Sequence, residues 1–294
     1  MYFHVVSWEQ HARSHGGIIQ FQQLRDLGVA GRRLSRVLAT GQLVRLGPGV
    51  YGLPHPADPW LQQLRATQVQ AGPGAVIWRR SASRLWGLDG LDRSEAIEVA
   101  VGPGGRRGDP RVSRLRRKLE VTVERGLAVT TVGRTLLDLG PAVGPDVLEW
   151  ALEDGLRRQA VDLTFLRRLA AQNPRCGGVL RAVLARRPAG APPTESEAET
   201  RFVQLVRRAG LPDPARQFPV IARGRPARLD FAWPRRALAA EVDGARFHGD
   251  DALGRDLRRQ NSLILAGWCI LRFTWWDVSR YGDQVIETLW DSFC

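Results

Sequence analysis

At 294 residues the chain exceeds one ordinary core and suits two or three domains. Apolar residues make up 44% and charged residues 25%, which excludes a disordered or fibrous chain. The formal net charge of +13 favours an anionic partner, nucleic acid above all. Nearly all of it is arginine, with Lys118 the only lysine, a bias that a GC-rich genome also produces.

Cys176, Cys269 and Cys294 are too widely spaced for a disulfide framework or a C-x-x-C metal pattern, so a reducing cytoplasm is expected. No basic start followed by an apolar run opens the chain, and no stretch of 18 apolar residues occurs. Neither secretion nor membrane insertion is expected. The fold class expected is α+β and multidomain, with parts at 1–58, 59–190 and 191–294 divided by GLPHPADP and RRPAGAPPT, whose proline and glycine oppose regular structure.

In the first part Trp8 to His15, Phe21 to Leu27 and Arg32 to Thr40 read as helices, the last two stopped by Gly28 and Gly41. LVRLGPGVYGL then reads as a hairpin about Gly-Pro-Gly. Three short helices and a hairpin make a winged helix-turn-helix, whose third helix can enter a major groove while the wing rests on the backbone. DNA is the partner expected, with Arg32, Arg33 and Arg36 as its contacts and Arg45 in the wing. The same module with solvated arginines also serves protein contact.

LRDLGVAGRRLSRVLATGQLVRLGPGVYGLP resembles the N-terminal domain of the AbiEi-like antitoxins of type IV toxin-antitoxin systems. The resemblance continues more weakly through SASRLWGLDGL and GLAVTTVGRTLLDL in the mixed α/β middle part. It implies operator binding, repression of the protein's own operon and a toxin protein as a further partner. The middle part also carries RRGDPRVSRLRRKLE, where Arg106, Arg107, Arg111, Arg114, Arg116, Arg117 and Lys118 crowd around Asp109. Such a run suits phosphate contact, and a solvated loop tolerates it equally.

In the last part Thr194, with Glu197 three residues on, has capping-box spacing, and the helix it starts turns Glu199 toward the stripe of Phe202, Val203 and Val206. RQFPVIA, ARLDFAW and ALAAEVDG read as an antiparallel meander. Period two puts Glu241 and Asp243 on one face and Leu238, Ala240 and Val242 on the other, and a turn over Pro234 to Ala237 sets Asp230 opposite Glu241. Opposed carboxylates lie about 5 Å apart at Cβ and repel. A divalent cation offsets that, Mg²⁺ or Mn²⁺ given oxygen ligands from Asp230, Glu241 and Asp243. A solvent-facing edge neutralised by Arg228 or Arg246 does so as well.

A helix over Asp251 to Ala266, a strand in WCILRFTW and a helix from Tyr281 to Trp290 complete the order helix, three strands, helix, strand, helix. That order resembles the PD-(D/E)XK nucleases, a restriction-endonuclease-like α/β domain. SEAETRFVQLVRRAGLP, RLDFAWPRRALAAEVDGARFH and RRQNSLILAGWCILRFTW are similar to the very-short-patch repair endonucleases. The resemblance implies Asp230 and Glu241 as metal-binding acids, Asp243 where the motif lysine would stand, Glu199 as an added helical glutamate and His248 as a catalytic histidine. The motif lysine is absent, a lone histidine is more often structural, and the family's zinc ligands have no counterpart here. Two functions follow as expectations: a Mg²⁺-dependent DNA endonuclease delivered by the winged helix, or an antitoxin-like repressor with an inactive nuclease fold.

Overall fold

A computed structural model describes residues 7–91, 93–103, 109, 111–115, 119–243 and 250–293. Within it the chain divides into two compact units, residues 1–87 with 91–142, and residues 88–90 with 143–294. The boundaries expected after residues 58 and 190 are therefore not where contacts divide the chain.

The first unit begins with helix α1 (Trp8–Ser14), whose Ser7 hydroxyl accepts from Gln10 N while the Gln10 side chain accepts from Ser7 N. Strand β1 (Ile18–Gln20), helices α2 (Phe21–Asp26) and α3 (Gly31–Ala39), and strands β2 (Val44–Gly47) and β3 (Val50–Gly52) follow. The expected helices and hairpin are present. Strand β1, too short to show a period, was not expected, and it completes a three-stranded sheet in the order β1-β3-β2. Trp8, Ala12, Ile19, Leu24, Leu34, Val37, Leu43 and Tyr51 close one core beneath these elements.

Helix α4 (Pro59–Ala71) is why the unit does not end at residue 58. Its Ala66 packs with Ile18 and Val50, and Gln62 Nε2 donates to the carbonyls of Gly17 and Leu53, each at 2.9 Å. The rest of the unit is β4 (Val76–Ile77), α5 (Arg79–Trp86), β5 (Val99–Val101), β6 (Val112–Arg114), β7 (Val121–Glu124), β8 (Leu127–Thr130) and α6 (Val132–Val143). Its five strands form a mixed sheet in the order β6-β5-β4-β8-β7.

The second unit opens with α7 (Pro145–Arg157), α8 (Leu163–Gln172) and α9 (Gly178–Arg186). Helix α10 (Glu197–Arg208), strands β9 (Ala215–Ala222), β10 (Arg225–Trp233) and β11 (Leu238–Asp243), helix α11 (Asp250–Leu265), strand β12 (Cys269–Thr274) and helices α12 (Trp275–Arg280) and α13 (Gly282–Phe293) complete it. The sheet runs β12-β11-β10-β9, with β9, β10 and β11 antiparallel and β12 parallel to β11. Only α12 lies outside the expected order. Phe202, Val203 and Val206 of α10 pack with Phe231, Ala240, Val242 and Phe273, while Leu263 of α11 packs with Leu229, Ala232 and Ala239.

The RRPAGAPPT linker divides nothing, because buried Glu153 of α7 accepts from Arg187, from Thr194 N and from Arg216 of β9. This also moves the helix start. Thr194 bonds Glu153 and the Thr200 hydroxyl, so Ser196 caps α10 in place of the expected Thr194.

Between β10 and β11, Ala237 holds the left-handed conformation at φ 48°. That costs an L-residue about 1–2 kcal/mol, of which glycine returns about 0.5–1 kcal/mol as lost chain freedom in the unfolded state. Ala237→Gly should raise the melting temperature of the second unit by a degree or two; a lower one would show that the turn carries no such strain.

Candidate nucleic-acid interface and acidic cluster

Helix α3 turns Leu34 and Val37 inward and leaves Arg32, Arg33 and Arg36 exposed. Its sequence GRRLSRVLA contains no acid, so nothing on the helix neutralises them. Arg33 Nη1 leans on the Gly28 carbonyl at 3.3 Å, which anchors one guanidinium beside the turn that enters the helix. Arg45, exposed on β2, stands over the Tyr51 ring at 5.5 Å. The four expected arginines thus belong to one small unit and are solvent-facing, as phosphate contacts must be. Of the basic run in the same unit, Arg111 pairs with Asp109. Arg106, Arg107, Arg116, Arg117 and Lys118 lie outside the described residues.

The acids of the second unit meet across the sheet. Phe231 pairs with Ala240, and continuing that register by one residue sets Asp230 opposite Glu241, as the turn length predicts. Gln217 falls between the pairs Phe218–Leu229 and Arg216–Phe231, and Glu241 pairs with Arg272. One row across the sheet therefore carries Gln217, Asp230, Glu241 and Arg272. At Gln217 the backbone takes φ 51°. The Gln217 amide then donates to Glu199 Oε2 at 3.3 Å, leaving its own buried oxygen without a hydrogen-bond partner.

Glu199, in the first turn of α10, is buried and accepts from Glu195 N at 2.8 Å. Burial pushes its carboxyl up to about 7, with the charges of Asp230 and Glu195 adding to the rise against the Glu195 N–H. Burial raises Asp230 too, reinforced by Glu241 and opposed by the Val242 N–H at 3.2 Å and by Arg259. Glu241 is buried and takes Arg259 of α11 at 2.7 Å. Of the arginines that sequence reasoning named for this edge, Arg228 pairs with Glu195, and Arg246 lies outside the described residues. No periodicity singles out Arg259 among the arginines of its helix.

Asp243 shares the face of Glu241 but stands half exposed, held by Nε and Nη2 of Arg272, whose Nη1 reaches Asp256 at 2.7 Å. His248 lies outside the described residues. The donors are all oxygen, as Mg²⁺ or Mn²⁺ requires. Among the described residues, however, no three histidines, cysteines or carboxylates are disposed around one metal position. Arg259 and Arg272 occupy Glu241 and Asp243, so guanidinium relieves the repulsion for two acids, while burial favours the protonated form of Glu199. The described residues do not fit a preformed metal centre.

No helix of the described residues is long and apolar enough to cross a membrane. The chain is 28% identical over 254 residues to the uncharacterized proteins MT2308 and Rv2248 of two Mycobacterium tuberculosis strains, covering 85% of this chain and 92% of each relative. The crystal structure of the RV2827C protein from Mycobacterium tuberculosis aligns at 20% identity over 62% of this chain and 80% of that one, with a TM-score of 0.39. Residues 9–54, which carry α3 and the hairpin, match the family described as "Transcriptional regulator, AbiEi antitoxin", and over that segment the chain is similar to those regulators.

Proposed function

We propose that the protein is a DNA-binding transcriptional regulator of the antitoxin kind, reading its operator with α3 as the recognition helix of a winged helix-turn-helix. The observation that carries this is the acid-free, exposed arginine face of α3 within the segment that matches the antitoxin regulators. A helix of that width enters a major groove, with Arg32, Arg33 and Arg36 meeting phosphates and base edges and Arg45 holding the wing to the backbone. Repression of its own operon and a toxin protein as partner belong to the same reading.

The experiment is anisotropy of the full chain on the duplex upstream of its own gene, read against salt. Each lost phosphate contact makes the log–log salt slope shallower by about 0.9. Arg32→Ala/Arg33→Ala/Arg36→Ala should therefore weaken binding by at least tenfold and flatten the slope by about 3. Unchanged affinity and slope would make α3 a protein-contact helix.

A second reading, a metal-dependent endonuclease of the PD-(D/E)XK kind in the second unit, is supported by the mutual repulsion of Glu199, Asp230 and Glu241. The pairing of Glu241 and Asp243 with arginine and the missing motif lysine weigh against it. Under this reading Mg²⁺ or Mn²⁺ is the cofactor, Asp230, Glu241 and Asp243 are its ligands, and Glu199 and His248 assist. A melting temperature raised by Mg²⁺ or Mn²⁺ through mass action, lost in Asp230→Asn together with plasmid nicking, is the result it requires. No shift and no nicking above the Asp230→Asn background leaves the regulator alone.

A further inference from the structure

On the second unit a groove of about 280 Å³ runs between the β9–β10 hairpin and α11. Arg225, Arg255, Arg258 and Arg259 line it together with Ser262, and no carboxylate is among the lining residues. The hairpin turns tightly, because Arg223 and Gly224 both take positive φ, at 51° and 77°, as a two-residue type I′ turn requires. That turn holds Arg225 at the start of β10 against the helix. On α11 the positions 255, 258 and 259 are spaced i, i+3 and i+4, so all three guanidinium groups leave one face of the helix.

Like charges at such spacing repel, and each pair destabilises a helix. Of these four, among the described residues, Arg259 alone has its charge answered, by Glu241 at 2.7 Å and more distantly by Asp256. Among the described residues Arg225, Arg255 and Arg258 make no ion pair, and all three are exposed. Elsewhere in this unit several guanidinium groups are matched, among them Arg187 and Arg216 to Glu153, Arg207 to Glu149, Arg228 to Glu195 and Arg272 to Asp243. What sets the groove apart is that four arginines converge on it with no carboxylate in its lining, which is the lining an anion would neutralise.

We propose that this groove is a second nucleic-acid site, which binds the phosphate backbone of duplex DNA without regard to sequence. The planar fork of arginine suits phosphate oxygens. The four forks are strung along a helical turn, about 6 Å of rise from Arg255 to Arg259, and a facing strand, an arrangement for successive phosphates and not for one enclosed ion. Backbone contact of this kind supplies affinity and register but no base readout. The choice of duplex DNA over other polyanions rests on the regulator reading of the first unit; the phosphate chemistry of the groove does not.

The test uses the full chain and a duplex of arbitrary sequence, with anisotropy read against salt. Arg225→Gln/Arg255→Gln/Arg258→Gln should flatten the salt slope by about 3 and weaken binding at least tenfold. The same positions changed to lysine keep the charge and should restore most of the binding, which separates charge from any effect on folding. Placed in the Arg32→Ala/Arg33→Ala/Arg36→Ala background, the glutamine variant should remove the salt-dependent binding that the background retains. If the α3 variant alone changes nothing, the recognition-helix reading fails, and the groove must then account for the whole slope. Glutamine variants that bind with wild-type affinity and slope overturn the proposal in either background, as does a groove that prefers RNA of the same length to the duplex.

Discussion

Glu153→Ala should destabilise the second unit by about 3–5 kcal/mol, the cost of breaking a buried ion pair from one side. Glu153 is 1% exposed and accepts from Arg187 Nε at 2.9 Å, Arg216 Nη1 at 3.1 Å and Thr194 N at 3.1 Å. Its removal strands two buried guanidinium groups and an amide together. Because these partners come from the chain after α9, from the linker and from β9, the loss should be cooperative across the unit. Urea unfolding followed by far-UV dichroism reads it. Glu153→Gln keeps the oxygen acceptor but not the charge and should fall between. A Glu153→Ala variant within 1 kcal/mol of wild type would mean that water satisfies these arginines as well as the carboxylate does.

The second large effect is on pH dependence. The Glu199 carboxyl titrates near 4.5 when unfolded and is pushed up to about 7 when folded. Below 4.5 both states are protonated and the group is neutral to stability. As pH rises from there the unfolded chain releases its proton first, so stability falls, by at most about 1.4 kcal/mol per pH unit, and levels off above 7. Glu199→Gln does not titrate and keeps an oxygen for the Glu195 and Gln217 donors. It should match wild type near pH 4 and exceed it by up to roughly 3 kcal/mol at pH 8. Asp230, also raised, preserves part of the slope in the variant. Parallel stability curves for the two proteins would show that Glu199 is already ionised at neutral pH.

What could be read in advance divides by the range of the interactions. Period two set Glu241 and Asp243 on the face opposite Leu238, Ala240 and Val242, and the turn length set Asp230 against Glu241, because both are properties of neighbouring residues. The cap of α10 was misplaced by two residues because Thr194 is claimed by Glu153, forty-one positions away in sequence. The unit boundary escaped for the same reason: Gln62 and Glu153 bind across the very linkers whose composition suggested separation. Acids could be grouped from spacing alone. Which arginine answers which acid depends on where α11 lies over the sheet, and in a chain this rich in arginine no local pattern tells Arg259 from Arg258.

Arg259 lines the arginine groove and also holds Glu241. One guanidinium cannot serve a backbone phosphate and a carboxylate at full strength, so whatever occupies the groove draws on the charge that keeps Glu241 quiet. By thermodynamic reciprocity, a cation that answers Glu241 in place of Arg259 must then tighten the groove's hold on its anion by the same factor.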